Sequence, residues 1–241
     1  MKNNLNKYLK NHGFEQMRLK AVFFDMDGVL YDSMKNHAIA WVKASEDYNL
    51  GMSENDVYMN EGRTGFSTVD IFTQKQFGRN TSEEEVEEIY LCKMGYYNTL
   101  PEAQPMPGAL SLLKQIKNDG FQIVLVTGSG QHSLLERLNH DYPDIFHSDL
   151  MVTGFDVKYG KPDPEPYLMA MQKAAVRPWE AMVVENAPLG VRSAVGAGAF
   201  TVACNTGPLP DTVFDDENAN LILPSLQSLS DCWPVLRDTL S

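Results

Sequence analysis

Asp25 and Asp27 stand one residue apart and are followed by Gly28. Two carboxyl groups that close resist joint ionisation, and a cation between them removes the conflict. Hard oxygen donors of this kind suit Mg²⁺. A second grouping, Thr127-Gly128-Ser129-Gly130, joins hydroxyls to the backbone N–H groups of a glycine-rich turn, which is a means of holding a phosphoryl group. Lys161 sits between Gly160 and Pro162, in a stiff loop that would aim its ammonium. Glu185 and Asn186 add two oxygen-bearing side chains for a hard metal. Each grouping also has a plainer reading. Asp25-x-Asp27-Gly28 is equally an Asx turn, residues 127–130 an ordinary strand-to-helix turn, and Lys161 a solvated loop lysine.

These residues can act together only if separate elements deliver them to one place. Ala21 to Phe24 is an unbroken apolar run too short for a helix, which predicts a buried strand of a parallel sheet. Phe121 to Val126 and Ala181 to Val184 read the same way, and each is followed by one of the polar groupings. Phe200 to Ala203 and Leu221 to Leu223 are later strands, and Leu150 to Val152 a short one. Helical patterns fall between them: Pro107 to Lys117, His132 to Leu138, Pro164 to Ala175, Pro188 to Ala197, and Leu226 to Leu240 with Pro234 as an interruption. Alternating strands and helices predict an α/β fold, a Rossmann-like parallel sheet that binds ligands at the carboxyl ends of its strands. Residues 34–105 break this rhythm. A helix ends at Gly51, others start at Ser53, Phe66 and Ser82, no strand appears, and Pro101, Pro105 and Pro107 close the stretch. The expectation is a core of residues 1–33 and 106–241 with an inserted helical cap of residues 34–105. The first 18 residues read as a short surface helix or extension, with Gly13 as a stop.

The 241 residues are 43% hydrophobic, ample for a core, and carry a net charge of −12. An acidic chain with no Lys/Arg block is expected to bind neither nucleic acid nor a membrane surface. An anionic substrate would then need a local cation. Cys92, Cys204 and Cys232 are too few and too scattered for a disulfide framework, and no signal-peptide or membrane-span pattern is evident. The expectation is a cytoplasmic monomer acting on a small phosphorylated compound.

Asp25-x-Asp27-Gly28-x-Leu30-x-Asp32-Ser33 resembles the first motif of the haloacid dehalogenase-like hydrolases. Thr127 resembles the hydroxyl residue of their second motif. Gly160-Lys161-Pro162 resembles the third, and Glu185-Asn186 with Gly190 and Ala194 the fourth. The resemblance implies that Asp25 is a nucleophile and that Asp27 is a general acid/base whose carbonyl also binds Mg²⁺. It further implies that Thr127, with the turn residues Gly128 and Ser129, holds the phosphate, that Lys161 neutralises charge, and that Glu185 and Asn186 serve the metal. The cap and its insertion point are similar to the β-phosphoglucomutase-like subgroup, where His37 would couple cap and core. Asn186 departs from the usual Asp, which implies weaker Mg²⁺ binding. In the cap loop, Glu61 stands where the mutase has a Lys, and Gly65 where it has an Arg, with Arg63 two residues away. Glu61, Arg63 and Asn186 together resemble a bacterial branch that includes inorganic pyrophosphatase. The expected activity is therefore a Mg²⁺-dependent phosphohydrolase, pyrophosphate favoured. β-Phosphoglucomutase is the alternative, and a non-catalytic binding protein on the same fold a further one.

Overall fold

The computed structural model describes residues 1–128 and 134–241. Among the described residues six strands form one parallel sheet: β1 (Ala21–Phe24), β2 (Gln122–Val126), β3 (Met151–Val152), β4 (Ala181–Glu185), β5 (Phe200–Cys204) and β6 (Leu221–Leu223). Their order is β3-β2-β1-β4-β5-β6, and every neighbouring pair is parallel. The chain runs outward from β1 in one direction and outward from β4 in the other. The two strands therefore flank a topological switch point, where open α/β sheets form their ligand crevice.

The unbroken apolar runs have a simple cause, since both faces of the sheet are covered. Val22, Phe24, Ile123, Leu125, Met182 and Val184 pack on one side beneath α6 (Ala109–Asn118) and α11 (Leu226–Leu240). Ala21, Phe23, Val124, Val126, Ala181 and Val183 pack on the other against α8 (Glu165–Lys173) and α9 (Pro188–Gly196). Pro234 does not interrupt α11. A proline there removes the N–H that Ser230 O would accept, and Gln115 Nε2 donates to that oxygen instead at 3.3 Å.

Between β1 and α6 lie four helices, α2 (Met34–Asp47), α3 (Glu54–Asn60), α4 (Gly65–Phe77) and α5 (Glu83–Asn98). They enclose an apolar cluster of their own around Trp41, Val57, Val69, Phe72 and Ile89. Ser53 and Asp56 form a capping box at the start of α3, and Ser82 caps α5. The first of the four ends earlier than its pattern suggests, because Asn49 takes a left-handed backbone conformation ahead of Gly51. Two linkers join these helices to the sheet. They pair with each other, Asp32 N donating to Gln104 O at 2.9 Å and Met106 N to Leu30 O at 2.8 Å. A short helix that the sequence did not signal, α10 (Thr212–Asp216), precedes β6; α1 (Lys2–His12) and α7 (Leu134–Asp141) complete the set. Among the described residues no helix is long and apolar enough to cross a membrane.

Candidate active site

Asp25 follows β1 directly and is buried, its backbone N–H bonded to Val184 O. Lys161 reaches it from the loop before α8. Its Nζ donates to Asp25 Oδ1 at 2.5 Å, to Glu185 Oε1 at 2.6 Å and to Val126 O at 3.1 Å. The side chain is only 2% exposed, so this ammonium is committed to the two carboxylates. Burial alone would lower its pKa, but Asp25 and Glu185 hold it above the usual lysine range. Burial pushes the Asp25 carboxyl up to about 8 against the pull of Lys161, with Glu185 and Asp27 adding to the rise. Asp25 must be ionised to act as a nucleophile, and Lys161 favours that ionised form, as a cation would further.

Asp27 is held differently. Ser33 Oγ donates to its Oδ1 at 2.6 Å, and His37 Nε2 lies 3.3 Å from the same oxygen. Burial opposes ionisation, but His37 and Ser33 overcome it and hold Asp27 down at about 2. Behind His37 stands Lys93, whose Nζ is 3.0 Å from Nδ1. A lysine has only donors to offer, so Nδ1 accepts and Nε2 carries the proton facing Asp27. Lys93 is buried among the faces of Trp41, Tyr90 and Tyr97, and desolvation lowers its pKa to about 8. Sequence reading missed Lys93. The signal was present as Tyr90, Lys93 and Tyr97, which are spaced to share one face of α5.

Glu185 and Asn186 end β4. Glu185 accepts from Lys161 and from Tyr167 OH (2.6 Å) at one oxygen, and from Asn186 N (3.0 Å) at the other. Gly28 (φ +79°) makes room for Asn186, since a Cβ there would fall 2.0 Å from Nδ2. That amide nitrogen contacts Glu61 from the loop after α3, at 3.3 and 3.4 Å. Burial drives the Glu61 carboxyl well above its usual range, and Asp25, Asp27 and Glu185 reinforce the rise. Asn186 Oδ1 is buried with no hydrogen-bond partner among the described residues. A buried orphan acceptor at the end of β4, the strand that pairs with β1, fits an oxygen-seeking cation such as Mg²⁺. Among the described residues no three His, Cys, Asp or Glu side chains are grouped to hold one, so a cation here would need other oxygens such as that of Asn186.

The loop carrying Glu61 sits tightly on the carboxyl end of the sheet. A Cβ on Gly62 would lie 3.3 Å from Lys161 Cδ, and one on Gly128 would lie 3.4 Å from Gly62 O. Arg63 donates to Asn60 Oδ1 at 3.2 Å, and burial lowers its pKa with Arg192 assisting. Asp25, Asp27, His37, Glu61, Arg63, Thr127 and Gly128 thus share the lining of one cavity of about 140 Å³, while Lys161 ties Asp25 to Glu185 and Asn186 contacts Glu61. Ser129 lies outside the described residues.

The fold and site are those of an α/β protein with paired aspartates at the switch point of a parallel sheet and a lysine held against one of them. The chain belongs to the haloacid dehalogenase-like hydrolase family, whose profile matches residues 19–198. Among characterised proteins it is 29% identical over 215 residues to hexitol phosphatase A of Escherichia coli, covering 89% of this chain and 94% of that one. It is 30% identical over 199 residues to the β-phosphoglucomutase of Bacillus subtilis, covering 78% and 84%. A solved structure from Bacteroides vulgatus, described provisionally as a β-phosphoglucomutase, superposes with a TM-score of 0.96 at 51% identity, covering 100% and 98%.

Proposed function

We propose that the chain is a Mg²⁺-dependent phosphohydrolase working through an aspartyl-phosphate, with residues 34–105 as its cap and inorganic pyrophosphate as the favoured substrate. Asp25 attacks phosphorus in line, and the leaving oxygen departs. Lys161 balances charge on Asp25, and Thr127 with Gly128 orients the transferred group. Asp27 then takes a proton from water, whose oxygen attacks phosphorus and frees Asp25. Asp25, the Asp27 carbonyl and Asn186 would hold Mg²⁺, with Glu185 behind them; when bound it neutralises phosphoryl oxygens. His37 and Lys93 orient Asp27, and Glu61 and Arg63 close the cap over the substrate.

The observation that carries the choice of substrate is the small space the cavity leaves beside Asp25 and Asp27, about 140 Å³. A void of about 150 Å³ accommodates a benzene, so this one suits a compact phosphate compound better than a hexose phosphate. The ionisation of Asp27 supports the same choice. A phosphate leaving group, with a second pKa of about 6, needs little help from an acid, whereas a sugar hydroxyl needs a protonated Asp27.

Sugar-phosphate hydrolysis or mutase chemistry is the second reading. The apolar wall of Trp41, Phe72, Tyr90 and Tyr97 favours it, as do the activities named for the curated relatives. Glu61 separates the two. Glu61→Ala is expected to lower kcat/KM for pyrophosphate roughly tenfold more than for hexose monophosphates, because a charge-assisted contact made only under a closed cap is lost. The measurement is the ratio of the two kcat/KM values in wild type and variant. An unchanged ratio, or a larger loss on the sugar phosphate, makes the second reading the better one.

A further inference from the structure

The two linkers joining the cap to the sheet are held by one side chain from outside either of them. Arg137 projects from α7, on the core side. Its guanidinium carbon lies 3.9 Å from the centre of the Tyr31 ring, in the first linker. Its NH2 group donates to Ala103 O in the second linker at 2.5 Å, and its Nε lies 3.6 Å from Glu102 Oε1. Asp141, one turn along α7, sits 3.8 Å from the same nitrogen and keeps the charge balanced on the core side. Tyr31 is itself buried, bridges to Pro105 across the linker pair, and packs its ring 5.7 Å from that of Tyr142.

We propose that Arg137 is a positioning residue that clamps both cap linkers to the core and so sets the closed state in which the cap loop meets Asp25. A cap can swing only by changing the torsions of its linkers, and hinges of this kind are a few residues that absorb the change. Here the guanidinium spans both linkers at once. Stacking on Tyr31 fixes the first, and the donated hydrogen bond fixes the second. The planar fork is needed for both contacts together, because an ammonium at the same place could bond Ala103 or approach the ring but not do both. Arg137 also lines the catalytic cavity beside Asp27 and Lys93, so displacing it would disturb the cavity wall and the hinge together.

The test begins without any substrate, so its result does not depend on which phosphate compound the enzyme takes. In Arg137→Ala, hydrogen exchange at the Asp32 and Met106 amides is expected to accelerate at least about tenfold, since a stacked charge and a charge-assisted hydrogen bond are both removed. Amides of β1 and β4 should keep their wild-type rates. Arg137→Lys should behave like Arg137→Ala in the linkers, and it decides the matter if the alanine variant fails to fold. With p-nitrophenyl phosphate and Mg²⁺, KM is expected to rise by more than kcat falls. Wild-type linker exchange in either folded variant, full rescue by lysine, or acceleration spread evenly over the sheet would overturn the proposal.

Discussion

Asp25 and Lys93 show how burial and pairing set charge at single positions. Asp25→Asn is expected to reduce phosphate release by roughly 10³-fold or more while the protein stays folded, because an amide is a far poorer nucleophile and Lys161 keeps Glu185 and Val126 O as partners. Steady-state assays beside thermal melting check this, and near-normal turnover would remove Asp25 from the nucleophile's role. Lys93 is held at about 8 against an ordinary 10.5. The folded state thus gives up this proton before the unfolded chain does. Below about pH 8 the full cost of burying the charge is present, and between 8 and 10.5 the folded state gains relative to the unfolded as pH rises. Lys93→Met is therefore expected to stabilise the protein at pH 7. Lost cation–π contacts offset part of the gain, leaving on the order of 1 kcal/mol, or roughly 2–4 °C in Tm. The gain should shrink as pH is raised through that window. Turnover should fall meanwhile, because His37 loses the donor that fixes its tautomer. A variant less stable than wild type at pH 7 would show that the three aromatic faces outweigh desolvation.

At the scale of elements, the loop of residues 61–64 decides whether the cap meets the sheet. Gly62 has φ +91°, a conformation that L side chains rarely adopt, and it faces the stem of Lys161. Gly62→Ala adds backbone strain and a Cβ at a crowded contact, so the cap should close less completely. The expected result is a several-fold rise in KM with a Tm change of only a few degrees, since the strain can be released by lifting the loop. A fall in Tm with KM unchanged would mean that the loop is seated for stability alone. Capping made these elements readable in advance. Ser53 with Asp56 and Ser82 with Glu85 mark helix starts through local hydrogen bonds, and the structure contains both. The end of α2 was not readable in the same way. Asn49 and Gly51 both accept positive φ, and the contact that favours the earlier stop, Leu50 N to Ser45 O, is made only once the chain has turned.

At the scale of the whole molecule, the amino and carboxyl ends of the sheet have separate duties. The first helix packs against the amino ends of β4 and β5, where Tyr8 OH donates to Gly198 O at 2.8 Å and its ring meets Phe200 edge-on at 5.4 Å. Tyr8→Ala should destabilise the protein by about 3–5 kcal/mol and leave KM and kcat unchanged at temperatures well below melting. A change in KM would mean that the two ends are coupled through the strands. The surface helix expected from the first residues is present and is anchored to the core by Tyr8, its one buried residue, which spacing alone cannot tell from an exposed one. Sequence alone determined the parallel α/β sheet, since strands covered on both faces must read as unbroken apolar runs. It also determined the inserted helices, because capping and periodicity are local. The paired aspartates and the Glu185-Asn186 pair were visible as residue types at the ends of those runs, and Lys161 as a lysine in a loop stiffened by Gly160 and Pro162. Tertiary structure alone decided that Lys161 binds Glu185 as well as Asp25, that Lys93 stands behind His37, and that Arg137 spans both linkers. Each of those contacts joins residues distant in sequence, and their geometry exists only after the sheet and the inserted helices have packed.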